Sequence, residues 1–561
     1  MKLPFRSAQM RARILTGWLL ASLLLTTVVS GQGTAPQTTA TLSAAESKAS
    51  ARVRVETLRE VTTALSDKAM EGRGTAQAGG ERAAKYIADK FKQLGLKPLG
   101  DAGGYLQAVR FRSTEVSSET SLKVGDDSFM LGEDFVPAPP FTADKNPASA
   151  PLVIVGYGVT SEALKRDDLA GVDVKGKVVM VLRGQPKNVS AAQWAQEANL
   201  RAIAGNLIGH GVAGIIYANA STPQASYKEI ADYLVRRNVA LADAPAAPFK
   251  LPPIMLVSDA AANKMLAGTG TTLAELLAKA ETGESVSREV SKAVAMEVTV
   301  KREQVTGSNV VGVLEGSDAR LKSEAVVYTA HYDAFGITSS GKIYPGAADN
   351  ALGVGELVSI AEAFTKSSPR PRRSMIFLAV TGEEYGLLGA EYWTKNPTWP
   401  LEKIAADLNF DGIGTEVYAP VKRIVGFGAE YSDLGPVMKE VLDATGMILT
   451  ADPLPEEGVF YRSDHYAFVR KGVPSLMLLG GPEGETSKWI MRAQAWMATD
   501  YHQPGDIVRP DWNWDGARTV SVIGMLIGLR VANQEAMPRW LPSSPFNRAR
   551  GAGEPPPSEK K

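Results

Sequence analysis

The sequence predicts an α/β fold in which a mostly parallel mixed sheet is flanked by helices and a smaller α/β domain is inserted. The first observation is a repeated strand, loop and helix pattern from about residue 300 onward. Its strands are near-continuous apolar runs, which are typical of strands covered by helices on both faces. The second observation is that proline clusters bracket short apolar runs between residues 136 and 295. The apolar runs of the first observation, after residue 300, are Ala325–Ala330, Met375–Val380, Ile404–Phe410 and Val473–Leu479.

The chain divides into several predicted segments, since 561 residues are too many for one hydrophobic core. Basic residues precede an apolar stretch from Ile14 to Val29, which predicts a signal peptide over residues 1–31 and export to the periplasm or medium. That stretch is short for a membrane anchor, so we expect no stable membrane span after cleavage. The other predicted segments are a flexible spacer at 32–50, a catalytic domain at 51–135 and 296–540, the insertion at 136–295 and a disordered tail at 541–561.

Composition excludes several classes of function. Lys+Arg and Asp+Glu both number 61, so no net field favours nucleic acid as a partner. The chain has no cysteine, which excludes disulfides, thiolate nucleophiles and cysteine-ligated zinc. A metal site must therefore be built from carboxylates and the four histidines. The histidines are His210, His331, His465 and His502.

Residues able to bind a metal follow three of the predicted strands directly. His331 and Asp333 come after the first strand, Glu383 and Glu384 after the second, and Asp411 after the third. Ligands of open α/β sheets bind beyond the carboxyl ends of the strands. The three strands therefore deliver these side chains to one edge of the sheet.

Two further candidates lie in loops. Asp349 sits among small residues before a predicted helix over Leu352–Phe364, and His502 lies in a turn-like segment. Taken singly, an Asp before a helix is commonly a cap, and paired Glu residues at a helix start commonly complement its dipole. The ordered set at strand ends favours a metal site over these separate structural roles.

The order of these motifs resembles the M28 family of zinc peptidases over about residues 50–540. Gly72–Thr75 also resembles the start of that family's catalytic domain. The insertion resembles a protease-associated (PA) domain through Gly176–Val179 and Gly211–Ile216. The motifs that carry the family resemblance are His331-x-Asp333, Asp349-Asn350, Glu383-Glu384, Asn409-x-Asp411 and Tyr501-His502-x-Pro504-x-Asp506.

The resemblance implies two Zn²⁺ ions per chain, bridged by Asp349. His331 and Asp411 would complete one metal site, and Glu384 and His502 would complete the other. Nitrogen and oxygen ligands suit zinc, and an incomplete set of protein ligands leaves room for water. Glu383 would act as general base towards the metal-bound water that attacks the peptide.

The supporting roles implied are more local. Asp333 would orient His331 and take part in catalysis, while Asp506 would orient His502. Tyr461 or His465 would support the oxyanion formed in the reaction.

The implied reaction is removal of residues from peptide or protein N-termini. A carboxypeptidase or dipeptidase on the same site is an alternative, although no arginine that would clamp a substrate carboxylate is recognisable. A glutaminyl-cyclase-like enzyme would use one metal ion, so zinc stoichiometry separates it. A catalytically inactive binding protein would have lost ligands, whereas this set is intact. The sequence does not indicate the oligomeric state or the preferred side chain.

Overall fold

The computed structural model describes residues 41–222, 225–245, 250–338, 341–412, 414–418, 420–481 and 486–551. The predicted signal peptide, and the spacer up to residue 40, lie outside these residues. The α-helices are α1 Ala44–Ser50, α2 Val55–Ser66, α3 Ala78–Gln93, α4 Ala191–Glu197, α5 Leu200–Gly209, α6 Tyr227–Leu234, α7 Asp259–Leu266, α8 Leu273–Glu281, α9 Leu352–Thr365, α10 Leu388–Lys395, α11 Thr415–Tyr418, α12 Leu434–Thr445, α13 His465–Val469, α14 Thr486–Thr499 and α15 Trp514–Asn533.

The strands are numbered in chain order in the same way. They are β1 Lys97–Pro98, β2 Leu106–Val116, β3 Ser121–Val124, β4 Asp127–Phe129, β5 Phe135–Pro137, β6 Lys145–Ile154, β7 Thr160–Ser161, β8 Arg166–Asp167, β9 Val178–Leu182, β10 Gly214–Ala218, β11 Asn238–Leu241, β12 Ile254–Val257, β13 Arg288–Leu314, β14 Ala325–His331, β15 Gly336–Ile337, β16 Ile343–Tyr344, β17 Ser374–Val380, β18 Ile404–Phe410, β19 Arg423–Phe427, β20 Ile448–Thr450 and β21 Ser475–Gly480.

The catalytic sheet is parallel in its middle and mixed at its ends. Strands β17, β14, β18 and β21 lie side by side in parallel. Antiparallel partners extend the sheet on both sides, β13 next to β17 and β19 next to β21. Every residue of the four parallel strands is buried, as expected for strands covered by helices on both faces. The α/β class and the mostly parallel sheet predicted from sequence are confirmed.

A second sheet is built around the first half of β13, which spans 27 residues. At about 3.3 Å per residue such a strand is about 90 Å long, enough to belong to two sheets. Its first half pairs with β3 on one side and β6 on the other, and its second half pairs with β2 and β17. Strands β6, β9, β10 and β12 continue the second sheet in parallel. The boundary predicted at residue 136 falls inside this sheet, whose first strand begins at Ser121.

Two helices cover the same face of the catalytic sheet and carry much of its core. α9 is buried from Leu352 to Phe364, which is why most of its residues are apolar or small. α15 packs closely because it has glycine where large rings meet it. A Cβ at Gly524 would lie 2.5 Å from the Phe410 ring, and one at Gly528 would lie 1.9 Å from the Tyr328 hydroxyl.

The structure differs from two of the predicted segment assignments. Residues 44–50, predicted as flexible spacer, form α1, because Ser43 and Glu46 make a capping box and Glu46 pairs with Arg530 at 2.7 Å. Residues 541–551, predicted as disordered tail, are ordered, since Phe546 packs on Trp540 in the core. Residues 552–561 lie outside the described part. Among the described helices, none combines the length and apolar character needed to cross a bilayer.

We expect Gly528→Ala to destabilise the protein by about 1–3 kcal/mol, because the added methyl group overpacks against the fully buried Tyr328. Gly205→Ala is the matched control, since this helical glycine faces open space and alanine favours a helix by up to about 1 kcal/mol. Denaturant unfolding of both variants checks the prediction. Equal stability of the two variants would contradict the packing described for α15.

Candidate metal centre

The sheet places four functional side chains at one edge, at the ends of three strands. His331 is the last residue of β14, and its backbone is in register with Val380 at the end of β17. Glu383 and Glu384 follow β17 after a two-residue turn, and Asp411 directly follows β18. Because these strands are adjacent and parallel, their carboxyl ends bring the side chains together as the sequence predicts.

Asp349 lies at the centre of this edge, in the loop before α9. Its Oδ1 atom is 3.2 Å from His331 Nε2, and its Oδ2 atom is 3.3 Å from His502 Nε2. His331 Nε2 is also 3.3 Å from Asp411 Oδ1, and His502 Nε2 is 3.0 Å from Glu384 Oε2. One carboxylate therefore faces two separate imidazoles, each with a second carboxylate beside it.

Glu383 stands next to the first of these groups. Its Oε2 atom is 3.7 Å from His331 Nε2, and the ligand atoms of His331, Glu383 and Asp411 lie within 4.8 Å of one another. Asp349, Glu384 and His502 form a second such group. A cavity of about 50 Å³ opens beside them, lined by Asp349, Glu383, Asp411, Gly412, Val459, Arg462, Ser463, Met477, Met497 and Tyr501.

The charges of the site show that it is suited to cations. Burial raises the pKa of Glu384 to about 7 and that of Glu383 well above its ordinary value, with Asp411 and Asp464 adding repulsion. Burial would lower the pKa of His502, but Glu384 and Asp349 raise it to about 10. The ionised forms of these buried carboxylates are therefore stable only when positive charge lies beside them. Zn²⁺ ions would supply it through the same nitrogen and oxygen atoms, so the residues present fit the metal.

The carboxylates of Asp333 and Asp506 make their shortest contacts with groups other than the histidine imidazoles. The Asp333 carboxylate is 3.8 Å from His331 Nδ1, and its shorter contacts are with the Thr75 hydroxyl at 2.9 Å and the Glu383 amide at 3.2 Å. The Asp506 carboxylate accepts the Ala348 and Asp349 amides at 2.8 and 3.0 Å. The prediction that Asp506 orients His502 is therefore corrected, because these contacts orient the Asp349 loop.

Arg73 holds the backbone close to His331 and Asp349. Its guanidinium has no solvent exposure and donates to four carbonyl oxygens. Burial lowers the pKa of Arg73 only to about 10, so it remains charged among the site carboxylates. The sequence indicated only that Gly72–Thr75 resembles the start of the family's catalytic domain. The acceptors are the carbonyls of Tyr332 at 2.5 Å, Pro345 at 2.5 Å, Gly346 at 2.7 Å and Leu65 at 2.7 Å.

Neither of the two side chains predicted to support an oxyanion lines the cavity at the metal centre. Tyr461 is 52% exposed and lines a neighbouring cavity. His465 is fully buried against Phe460, and burial lowers its pKa to about 3. Instead Tyr501 and Arg462 line the cavity at the metal centre. Tyr501 could have been found from its position next to His502, because its ring stacks on that imidazole with centroids 3.7 Å apart.

Comparison with known proteins agrees with this geometry. Residues 309–524 match the model of peptidase family M28. The chain is 31% identical over 229 residues to a probable leucine aminopeptidase 2 of Aspergillus oryzae, covering 38% of this chain and 43% of that protein. The chain thus spans less than half the length of the curated relatives that it matches.

Two solved structures share the fold over most of the chain. The aminopeptidase from Aneurinibacillus sp. strain AM-1 superposes with a TM-score of 0.55 at 17% identity, covering 88% of this chain and 97% of that one. The zinc aminopeptidase BSAP from Bacillus subtilis gives 0.52 at 16% identity, covering 87% and 95%. The chain therefore shares the fold of these two aminopeptidases, and it carries two carboxylate–histidine groups that could each hold a metal ion. The stretch that matches the model of peptidase family M28, residues 309–524, contains all the side chains described above as able to bind a metal.

We expect Arg73→Met to destabilise the metal-free protein by about 3–5 kcal/mol, because buried carbonyl oxygens lose a charged donor. Arg82→Met is the matched control, since Arg82 is 44% exposed and pairs with Glu71 at the surface. It should cost less than about 1 kcal/mol. Denaturant unfolding without metal measures both. Similar values for the two variants would show that the Arg73 contacts are dispensable.

Proposed function

We propose that this chain is an exported exopeptidase that removes N-terminal residues from peptides with two zinc ions. The observation that carries the proposal is the Asp349 carboxylate, whose two oxygens each face a different imidazole. A carboxylate in that position can bridge two ions. His331 and Asp411 would hold one ion with Asp349, and Glu384 and His502 would hold the other.

The chemistry requires a base and a place for developing charge. Bound zinc would acidify a water molecule and polarise the scissile carbonyl. Glu383 lies beside the ligands and lines the cavity, so its carboxylate can accept the proton of the attacking water and return it to the leaving amine. The Asp333 carboxylate accepts the Glu383 amide, which fixes the backbone of this residue.

Tyr501 is the best placed oxyanion donor. Its ring is fixed by stacking on His502 and by packing on Trp496, and its hydroxyl receives a hydrogen bond from Arg462 at 3.4 Å. A phenol is protonated at neutral pH and can donate its own proton to an oxyanion. A donor held in this way stabilises charge with little reorganisation.

Charge and shape favour a free N-terminus as the group that is recognised. The cavity wall carries the carboxylate of Glu383, which is not a proposed zinc ligand and can attract an ammonium group. Val459, Met477 and Met497 give the same cavity an apolar side that suits an aliphatic side chain.

Arg462 favours a second candidate function, a dipeptidase or carboxypeptidase. Its side chain is 47% exposed at the cavity and is tethered to Glu457 at 3.3 Å. A guanidinium there could receive a substrate carboxylate, a clamp that was not recognisable in the sequence.

We expect a leucine-initiated peptide to release leucine only when its N-terminus is free, because acetylation removes the ammonium group that the Glu383 carboxylate attracts. The zinc-loaded protein without residues 1–31 is incubated with the free and the acetylated peptide. Release should stop with a chelator. Cleavage from the other end of the peptide would support the second candidate, and no cleavage of either peptide would contradict a peptidase function.

We expect Glu383→Gln to lower kcat by about 10²–10⁴-fold with zinc content unchanged, because the amide cannot accept the proton. Glu384→Gln is the matched comparison, and it should lose zinc because Glu384 is proposed as a ligand. Metal analysis and steady-state kinetics distinguish the two. Near-normal turnover of Glu383→Gln would exclude Glu383 as the base.

A further inference from the structure

One segment of the inserted region reaches the metal centre. This segment, Tyr227–Leu241, is called the arm, and it consists of α6 and β11 with the residues between them. β11 does not join the second sheet; it pairs antiparallel with β2 at the edge of the catalytic sheet. Asp232 pairs with Lys342 at 3.2 Å, and Arg237 donates to the Thr75 carbonyl at 2.6 Å. The arm is therefore anchored to the catalytic domain at several points.

Arg236 is the arm residue that reaches a metal ligand. Its Nη2 atom donates to the backbone carbonyl of His502 at 3.1 Å. Its guanidinium lies 4.0 Å from the centre of the Tyr344 ring and 4.5 Å from that of Phe335. Tyr233, also on the arm, places a third ring at 5.1 Å. A planar cation among three aromatic faces is held firmly, so the direction of its donor is fixed.

Phe335 links this aromatic group to the imidazole itself. Its ring meets the His502 ring edge-on, with centroids 4.6 Å apart. Phe335 is 8% exposed, and Tyr344 is 1% exposed. Arg236 thus contacts the carbonyl of His502 directly. It also packs on the Phe335 ring, which in turn contacts the His502 imidazole.

His502 needs such support because of its backbone. Its φ angle is +57°, in the left-handed region that non-glycine residues seldom adopt. A residue in this region persists only when its surroundings determine it. The contacts that do so are the hydrogen bond from Arg236, the edge-on Phe335 ring and the stacked Tyr501 ring.

We propose that Arg236 is a positioning residue for His502, so that the inserted region completes one of the two zinc sites. The arm then sets the affinity of the site formed by Asp349, Glu384 and His502. The site formed by His331, Asp349 and Asp411 does not depend on Arg236, because on that side Arg73 donates to the Tyr332 carbonyl and Thr75 donates to the Asp333 carboxylate. The inference rests on the proposed two-zinc centre.

The four histidines of the chain allow a test at the level of single ligands. The full mature protein is labelled at the histidine imidazole carbons, and zinc is titrated into the metal-free form while the signals are followed by NMR. The His502 signal is assigned with the His502→Gln variant and that of His331 with His331→Gln. The variants compared are Arg236→Ala, Arg236→Lys and the arm control Asp232→Ala.

In Arg236→Ala, the zinc concentration at the midpoint of the His502 change should rise about tenfold or more, as is usual when a group that orients a ligand is lost. The His331 midpoint should move by less than about threefold. Arg236→Lys should recover only part of the loss, because it keeps a cation over the rings but lacks the planar guanidinium that fixes the direction of the donor. Asp232→Ala should leave both midpoints unchanged, since Asp232 anchors the arm through Lys342 and is not among the residues described in contact with His502.

Two results would overturn the proposal. One is an unchanged His502 midpoint in Arg236→Ala. The other is an equal rise of both midpoints in Arg236→Ala and Asp232→Ala, which would show a general loosening of the arm. A wild-type His502 signal that ignores zinc would contradict both this proposal and the two-zinc centre. Zinc binding at His502 without peptide cleavage would contradict only the proposed function.

Discussion

The structure depends on the concentration of negative charge at the buried edge of the catalytic sheet. Asp349, Glu383, Glu384 and Asp411 bring four carboxylates together where water is scarce. Buried carboxylates are costly unless cations compensate them. The imidazoles of His331 and His502 lie within reach for this reason, and the same demand makes the site fit zinc. The parallel strands are the means of assembling these charges, because their ends converge at one edge.

Two buried ions of opposite charge hold the loop that carries Asp349. Before the loop, Arg73 donates to the carbonyls of Pro345 and Gly346. Within it, Asp506 accepts the amides of Ala348 and Asp349. The guanidinium thus orients two carbonyl groups, and the carboxylate orients two amide groups. Hydrogen bonds with a charged donor or acceptor are stronger than those between neutral groups. These contacts fix the direction of the Asp349 carboxylate between the two imidazoles, since a loop of small residues alone would not do so.

The sequence predicted the parts of the site that local order determines. His331, Glu383 and Asp411 follow apolar strands, so the edge where they meet could be inferred from the strands alone. The partner of Asp506 could not, because its carboxylate turns to the backbone of residues 348 and 349, and sequence spacing does not reveal such a contact. The roles given to Tyr461 and His465 failed for a related reason, since the segment that holds them turns one side chain outward and the other into the core. The disordered tail predicted at 541–561 includes Phe546, which packs on Trp540 in the core. Composition alone does not reveal which aromatic residues contact a core.

The same limit applies to the inserted region, whose effect on the site arises from long-range contacts. β13 belongs to both sheets, so the second sheet is joined to the catalytic sheet by a continuous strand. β11 makes a second connection between the inserted region and the catalytic sheet, because it pairs with β2. Two connections by backbone hydrogen bonds restrict rotation more than one connection would. The arm therefore meets the catalytic domain in a defined register, and this register is what allows a side chain from the insertion to reach the backbone of His502.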